Sequence, residues 1–183
     1  TIGDYLASTR FDAVSPGDPE VRAIEAVVRD RMQKLLAIGG SRTVTSFHRE
    51  LGKIMWEYCG MARSGGGLRK ALQLIPTLRE EFWSDLALPG SGEELNQELE
   101  RAGRVADYFE LAELMCIDAL QREESCGAHF RIEHETAEGE AMRDDDHFAY
   151  VSCWEYTGEG RAPALHKEPL VFENVALATR SYK

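Results

Sequence analysis

Arginine, glutamate and histidine are concentrated in one ten-residue segment, REESCGAHFR, which occupies residues 122–131. Four of its side chains can form charge-assisted hydrogen bonds: Arg122, Glu124, His129 and Arg131. Such groups can hold an anion or a partner surface. They are also typical of a helix C-terminus, where basic residues face the negative end of the dipole and Gly127 supplies a left-handed cap. Composition alone favours the helix end.

Cys126 and His129 lie in the same segment and raise two further possibilities. Their CxxH spacing can begin a metal site completed by His134, His147 or Cys153, but a structural zinc site normally has a second close pair of ligands, and none follows. The two residues can also form a thiol nucleophile and its base, although nothing marks an orienting partner or an oxyanion hole. We therefore predict no metal site, and the residues supply no complete catalytic set.

Two other stretches have the composition of ion-binding loops. Arg143 is followed by three aspartates, which can bind a hard cation, although no fuller ligand pattern follows and a solvated acidic loop is favoured. Three glycines at residues 65–67 precede a helix in the manner of a phosphate-binding loop. The lysine and the serine or threonine of a P-loop are absent, so we predict a plain turn there.

The overall composition excludes several classes of partner. The 183 residues carry a formal net charge of −11, which repels a phosphate backbone, so we expect no nucleic-acid partner. No apolar run approaches the roughly 20 residues that cross a bilayer, so we expect no direct membrane span. An apolar fraction of 43% is ordinary for a soluble globular protein.

A long helix is predicted to position residues 122–131. It begins at Ser91, where Glu94 completes a capping box, and ends at Gly127. Its apolar residues recur at steps of three and four, which places them on one face. They are Leu95, Leu99, Ala102, Ala106, Phe109, Ala112, Cys116 and Leu120.

Three shorter helices are predicted before it. The first begins at Asp18 and Pro19 and has the stripe Val21, Ile24, Val28, Met32, Leu35 and Ile38. The second begins near Thr43 or Thr45 and stops at Gly60, with Val44, Phe47, Leu51, Ile54, Met55 and Tyr58 on its apolar face. The third begins between Ser64 and Leu68, contains Pro76, which should bend it, and buries Leu68, Leu72, Ile75, Leu78, Phe82 and Leu86. We expect the aromatic residues Trp56, Tyr58, Phe82 and Trp83 to lie in the core.

The predicted fold class is mainly α, an antiparallel bundle of three to four helices similar to a spectrin repeat, with a small C-terminal β-hairpin. Residues 1–17 are predicted to be a leader or linker, residues 18–131 the bundle, and residues 132–183 an acidic loop and hairpin tail. The first strand is predicted from His147 to Tyr156, with a loop from Thr157 to Leu165. The second strand is predicted around Leu170, Phe172 and Val175.

Five ordered motifs resemble the C-terminal region of the flavoprotein subunits of succinate dehydrogenase and fumarate reductase. HRELGKIMWEYCGMAR, at residues 48–63, is similar to the second helix of that region, and REESCGAHFR is similar to its REESRGAHxR motif. Arg143, Asp144 and Asp145 match an RDD element, and residues 147–156 and 166–169 match the final strands. Arg180, Ser181 and Tyr182 resemble a closing RxY. Cys126 departs from the family, since most relatives have arginine there.

The resemblance implies that the parent protein contains FAD, oxidises succinate to fumarate and passes electrons to an iron–sulfur subunit. In the family, the residues that bind FAD and act on the dicarboxylate lie upstream, so no catalytic or cofactor-binding residue is expected in this chain. Its implied role is structural, in contact with the flavin-binding and capping domains of its parent and with the iron–sulfur subunit. The implied location is cytoplasmic, peripheral on the inner face of the inner membrane.

The resemblance also suggests which residues make those contacts. The candidates are Arg122, Glu124, His129, Arg131, Arg143, Asp144 and Asp145. Two alternatives use the residues differently: a stand-alone helical module that binds an anion or a protein, and a thiol enzyme that uses Cys126 and His129.

Overall fold

Six helices and two short pairs of strands make up the described part of the chain, which covers residues 1–10, 13–158, 160–176 and 178 of a computed structural model. The helices are α1 Ile2–Ser8, α2 Pro19–Ala37, α3 Val44–Cys59, α4 Gly65–Asp85, α5 Gln97–Gln121 and α6 Asp145–Phe148. The strands are β1 Arg42–Thr43, β2 Leu86–Ala87, β3 Tyr150–Glu155 and β4 Ala164–Pro169. The predicted mainly α class with a C-terminal hairpin is confirmed. The motif at residues 180–182 lies outside the described residues.

Side-chain caps fix the starts of α3 and α4 where the sequence predicts them. Thr43 Oγ1 accepts a hydrogen bond from Ser46 N at 3.2 Å, and Ser64 Oγ accepts one from Gly67 N at 3.0 Å. Each contact satisfies a backbone N–H that has no partner within its own helix. The glycines at 65–67 therefore form the first turn of α4 rather than the plain turn that was predicted.

The long helix α5 is shorter at both ends than the sequence indicates. It begins at Gln97 because Asn96 caps it: Asn96 Oδ1 accepts from Leu99 N at 3.1 Å, and its amide donates to Pro89 O at 2.8 Å. Ser91 instead forms a local bend, so the predicted capping box is wrong and Leu95 is 93% exposed. The helix ends at Gln121 rather than at Gly127.

Three phenylalanines form the centre of the bundle, one each from α3, α4 and α5. Phe47, Phe82 and Phe109 are fully buried, and the ring of Phe82 lies 5.4 Å from that of Phe47 and 5.5 Å from that of Phe109. The predicted stripes of these helices supply most of the surrounding core. Pairs of aromatic rings at such distances contribute beyond the area they bury.

The pairing of β1 with β2 shows that α3 and α4 run antiparallel. Arg42 pairs with Leu86 and Thr43 with Ala87 in parallel register. Since β1 precedes α3 and β2 follows α4, the start of α3 lies beside the end of α4. Arg42 strengthens this end, because its guanidinium forms ion pairs with Glu50 at 2.6 Å and Glu81 at 2.7 Å.

Helix α2 packs on the bundle less fully than its stripe predicts. Leu35 is buried, whereas Ile24 is 66% exposed and Val28 is 52% exposed. Its contact with α5 includes an ion pair between Arg31 and Asp107 at 2.5 Å. Within the part of the chain that the structure describes, no helix combines the length and the apolar character needed to cross a membrane.

The C-terminal hairpin differs from the sequence prediction in both strands. β3 begins at Tyr150, since residues 145–148 form α6, and it pairs antiparallel with β4 from Tyr150↔Pro169 to Glu155↔Ala164. Leu170, Phe172 and Val175 were predicted to be the second strand, and this is wrong. The chain turns back earlier, because Gly158 and Gly160 adopt positive φ angles of 118° and 70°. The strand β4 is mostly exposed and polar, so its composition does not predict a strand.

Truncating Phe82 tests the aromatic centre. We expect Phe82→Ala to lower the free energy of unfolding by about 3–5 kcal/mol, because it leaves a cavity between three helices. The matched control is Leu95→Ala, which the sequence places in the core and the structure places in solvent. It should change stability by no more than about 0.5 kcal/mol. Urea denaturation of both variants measures the difference, and equal losses would contradict the structure.

Candidate functional site

The segment at residues 122–131, here called the 122–131 loop, is a folded turn that follows α5. Cys126 N donates to His129 O at 2.8 Å and His129 N to Cys126 O at 3.0 Å, which closes a two-residue hairpin turn. Gly127 occupies the first turn position with a φ of 59°, a conformation that favours glycine. The helix-end interpretation is therefore wrong about the element, although the left-handed glycine is present.

Arg131 is the buried centre of this loop, with 4% of its surface exposed. Its Nη1 donates to the carbonyl oxygens of Ala119 at 3.0 Å and Leu120 at 3.3 Å, in the last turn of α5. Its backbone N donates to Ser125 Oγ at 2.8 Å, and that hydroxyl donates to Arg131 O at 3.1 Å. The guanidinium thus caps α5 at the negative end of the helix dipole.

Glu133 connects Arg131 to the start of α4. One carboxylate oxygen accepts from Arg131 Nε at 3.3 Å, and the other accepts from Gly65 N at 2.6 Å. Burial by itself would raise the pKa of Glu133, but the hydrogen bonds from Gly65 N–H and from Arg131 outweigh it and lower that pKa. A Cβ at Gly65 would lie 2.8 Å from Arg131 Nη2, so a larger residue here would displace the guanidinium from its present position.

Arg122 and Glu124 connect the loop to the C-terminal elements. Arg122 Nη1 lies 2.7 Å from Glu124 Oε1, and its guanidinium also donates to Phe148 O and Tyr150 O, each at 3.0 Å. Glu124 is 3% exposed, and its second oxygen accepts from Asp144 N at 2.9 Å. Each oxygen of the buried Glu124 carboxylate therefore has a hydrogen-bond donor, which a charge in a protein interior requires.

His129 is held as a neutral imidazole. Its Nδ1 lies 3.0 Å from Arg63 Nη1, and since a guanidinium can only donate, Nδ1 must accept. Its Nε2 lies 2.9 Å from Arg122 O, so Nε2–H donates. Burial lowers the pKa of His129, and the positive charges of Arg63, Arg131 and Arg122 lower it further, against the opposing effect of the Arg122 carbonyl.

These contacts disfavour the thiol-enzyme and metal interpretations. Both ring nitrogens of His129 are occupied, so the imidazole is not available as a base for the exposed Cys126 thiol or as a metal ligand. No cluster of three or more histidine, cysteine, aspartate or glutamate side chains suited to a metal ion occurs among the described residues. The anion-binding interpretation is also weakened, because Arg122 and Arg131 donate to groups of their own chain.

Arg143, Asp144 and Asp145 form a more accessible group after the loop. Arg143 Nη2 lies 2.5 Å from Asp145 Oδ1, and Arg143 Nη1 donates to Ala178 O at 3.1 Å. Asp144 caps α6 by accepting from His147 N at 3.2 Å. The hydrogen bond from the His147 side chain is the main cause that lowers the pKa of Asp144. The arginine thus occupies an oxygen that a bound cation would need.

Several residues of this site were not predicted from the sequence. The main chain of Arg63 pairs with the loop, since Arg63 N donates to Phe130 O at 3.0 Å and Ile132 N donates to Arg63 O at 2.9 Å. Gly65 and Glu133 were missed as well. The hairpin is anchored by Trp154, whose Nε1 donates to Asp118 Oδ1 at 2.7 Å. The available signals were the place of Arg63 at the end of the motif at residues 48–63 and its position immediately before the Ser64 cap.

Comparison with known proteins gives one family and one shared fold. Residues 48–182 match the family described as fumarate reductase flavoprotein C-term. The fumarate reductase flavoprotein subunit of Proteus vulgaris is 30% identical over 165 residues, which are 90% of this chain and 26% of that protein. The chain thus spans about a quarter of the length of the curated relatives that it matches.

Two solved structures share the fold at lower identity. Escherichia coli quinol fumarate reductase superposes with a TM-score of 0.77 at 22% identity, over 96% of this chain and 28% of that chain. Adenylylsulfate reductase from Archaeoglobus fulgidus gives a TM-score of 0.69 at 18% identity, over 93% and 27% of the two chains. The architecture is therefore common to enzymes named for different substrates.

The neutral state of His129 predicts a pH dependence of stability. Because its pKa in the folded protein lies below the ordinary value of 6.5, the unfolded chain binds the proton more readily. We expect the free energy of unfolding to be highest above pH 6.5 and to fall as the pH decreases through the lowered folded pKa. Urea denaturation between about pH 5 and pH 8 measures this, where histidine titrates.

His129→Gln should flatten that dependence, whereas Lys34→Gln, at an exposed position on α2 that no residue of the 122–131 loop contacts, should retain it. The carboxylates in contact with this network do not interfere, because hydrogen bonds lower the pKa values of Glu133 and Asp144 and so move their titration away from this pH range. An identical slope in native protein and His129→Gln would contradict the assignment.

Proposed function

Because this chain belongs to the family of fumarate reductase flavoprotein C-terminal regions, we propose that it forms the helical C-terminal domain of the flavoprotein subunit of a succinate dehydrogenase or fumarate reductase. The observation that carries the proposal is the match over residues 48–182, which extends from α3 across the 122–131 loop to the hairpin. It includes every residue of the network around Arg131. The relative from Proteus vulgaris is named for fumarate reduction, the reverse of succinate oxidation.

In this proposal the parent subunit carries FAD, oxidises succinate to fumarate and passes the electrons to an iron–sulfur subunit. The described residues do not fit FAD themselves. The glycines at 65–67 follow an irregular turn rather than a strand, and the Glu133 carboxylate already occupies the Gly65 N–H that a phosphate would need. We therefore place the cofactor and the reacting groups in the remainder of the parent and assign no catalytic residue here.

The role we assign to this chain is assembly. Its contacts are with the flavin-binding and capping domains of the parent and with the iron–sulfur subunit, at the cytoplasmic face of the inner membrane. Arg143, Asp144 and Asp145 are the more accessible of the candidate contact residues. The other four candidates lie beneath them. Glu124 accepts from the backbone N–H of Asp144, and Arg122 donates to the carbonyl oxygens of Phe148 and Tyr150, which follow. His129 and Arg131 hold the 122–131 loop itself.

Flavin content tests whether the cofactor is bound by the other domains of the parent and not by this chain. We expect the 183-residue chain expressed alone to show no flavin absorbance and no succinate-dependent dye reduction. The full-length parent should show both, because the cofactor site lies in its other domains. Stoichiometric flavin or turnover in the short chain would contradict the assembly role, and a flavin-free parent would contradict the family function.

Reversing charges at Arg143 and Asp145 tests the proposed subunit contact. We expect Arg143→Glu to reduce co-purification of the iron–sulfur subunit with the full-length flavoprotein. The control is the double variant Arg143→Glu with Asp145→Arg, which restores the opposite charges of the 2.5 Å internal pair but presents a reversed pattern outward. We expect the double variant to bind the iron–sulfur subunit as weakly as the single variant does. If the double variant co-purifies with that subunit as the native protein does, the ion pair stabilises only its own loop and makes no subunit contact.

A further inference from the structure

The outer face of α3 carries an exposed tryptophan whose side chain forms no hydrogen bond or ring contact with the described residues. Trp56 is 83% exposed, although the sequence predicts it to be a core residue. The other two tryptophans have partners: Trp83 packs edge-on against Phe82 at 5.3 Å between ring centroids, and Trp154 donates to Asp118. A large aromatic side chain left in water gives up the stabilisation that its burial would provide.

A glycine lies one helical turn before Trp56. Gly52 occupies the interior of α3, where glycine costs about 0.5–1 kcal/mol relative to alanine. A Cβ at this position would meet nothing within 4 Å, so the described residues give no steric reason for the glycine. Residues four apart lie on the same helix face. Gly52 therefore leaves a notch in the helix surface beside the projecting ring of Trp56. Such a notch lets the backbone of another segment approach the helix closely.

The same face is positively charged on an otherwise acidic protein. Arg49 and Lys53 lie next to the notch, and within the described residues neither forms an ion pair of the kind that Arg42 makes with Glu50 and Glu81. Together with Glu57 of α3 and Leu74 of α4 they line an open groove of about 650 Å³. Two cations against the one carboxylate of Glu57 leave this groove with a positive balance on a chain whose net charge is −11, and the indole adds an apolar surface, so the groove favours an acidic and partly apolar occupant.

We propose that Arg49, Gly52, Lys53 and Trp56 form the docking surface for the flavin-binding part of the same polypeptide, through a segment that places carboxylates opposite the two cations and an apolar pocket over the indole. This rests on the proposed function. The chain spans about a quarter of its relatives, so most of such a polypeptide lies outside it. A covalently joined domain has a high effective concentration, so one helix face is sufficient for it.

Two other occupants fit the surface less well. A separate subunit that binds stably buries about 1,200–2,000 Å² in total, more than a single helix face and its groove provide. A second copy would form a two-fold interface in which Arg49 and Lys53 approach their own symmetry mates. Like charges brought together in this way oppose association.

Hydroxyl-radical labelling of the full-length flavoprotein subunit, purified without its iron–sulfur partner, tests the proposal. Mass spectrometry gives the oxidation rate of Trp56 relative to Trp83 in the same molecule. On the isolated fold Trp56 is the more exposed of the two, at 83% against 38%, and would react faster. We expect the order to be reversed in the full-length subunit, because the docked segment covers Trp56.

Charge reversal supplies a matched comparison. The double variant Arg49→Glu with Lys53→Glu should restore faster labelling of Trp56, because it repels the acidic segment. Lys34→Glu, which reverses an exposed lysine on α2, should leave the labelling ratio as in the native subunit. Equal effects of both changes would overturn the proposal.

The remaining outcomes separate this inference from the function on which it rests. Faster labelling of Trp56 than of Trp83 in a subunit that contains flavin overturns the docking surface and leaves the family function in place. Protection that appears only after the iron–sulfur subunit is added, or only at raised protein concentration, also overturns it, in favour of a partner or a second copy. A subunit without flavin contradicts the proposed function itself.

Discussion

The buried guanidinium of Arg131 joins parts of the chain that are far apart in sequence. It caps the last turn of α5 through two carbonyl oxygens and, through Glu133, it reaches the first turn of α4. A charge this deeply buried is tolerated only when its donors are satisfied, so every partner is constrained in position. A side chain at residue 65 would displace the guanidinium, and the 122–131 loop folds back so that Ser125 bonds the main chain of Arg131. The geometry of the C-terminal elements follows from these requirements.

Local signals predicted the helices whose ends are fixed by neighbouring residues. Thr43 and Ser64 cap their own helices, and the stripes of α3 and α4 meet each other across a short turn, so pattern and structure agree. The predicted start of α5 was wrong because Asn96, and not Ser91, caps the helix. Asn96 caps Leu99 N and also holds the preceding loop through Pro89 O, and the position of that loop cannot be read from the sequence. The residue pattern missed the polar strand β4, which the family resemblance at residues 166–169 did indicate, because the pairing register with β3 and not apolar content selects it.

The sequence predicted one part of the site, the 122–131 segment, but not the residues that this segment contacts. The 122–131 segment was singled out from its charge, yet its partners Arg63 and Gly65 are 66 and 68 residues from His129 and Glu133, and no local pattern encodes such pairings. The structure also shows what the polar side chains bind. Groups that appear suited to anions or metals form hydrogen bonds with carbonyls and carboxylates of their own chain. Reductases named for different substrates share this fold.

The position of Glu133 determines where the polypeptide can be divided. From the sequence, residue 131 separates a bundle from a tail, but the network around Arg131 crosses that boundary in both directions. A protease that cut after residue 131 would remove the acceptor of the Gly65 amide and leave the start of α4 with an unpaired N–H. The same cut would detach the indole of Trp154 from α5. The helices and the hairpin thus share hydrogen bonds across residue 131, and a recombination event that exchanged the tail alone would have to supply a carboxylate at the position of Glu133.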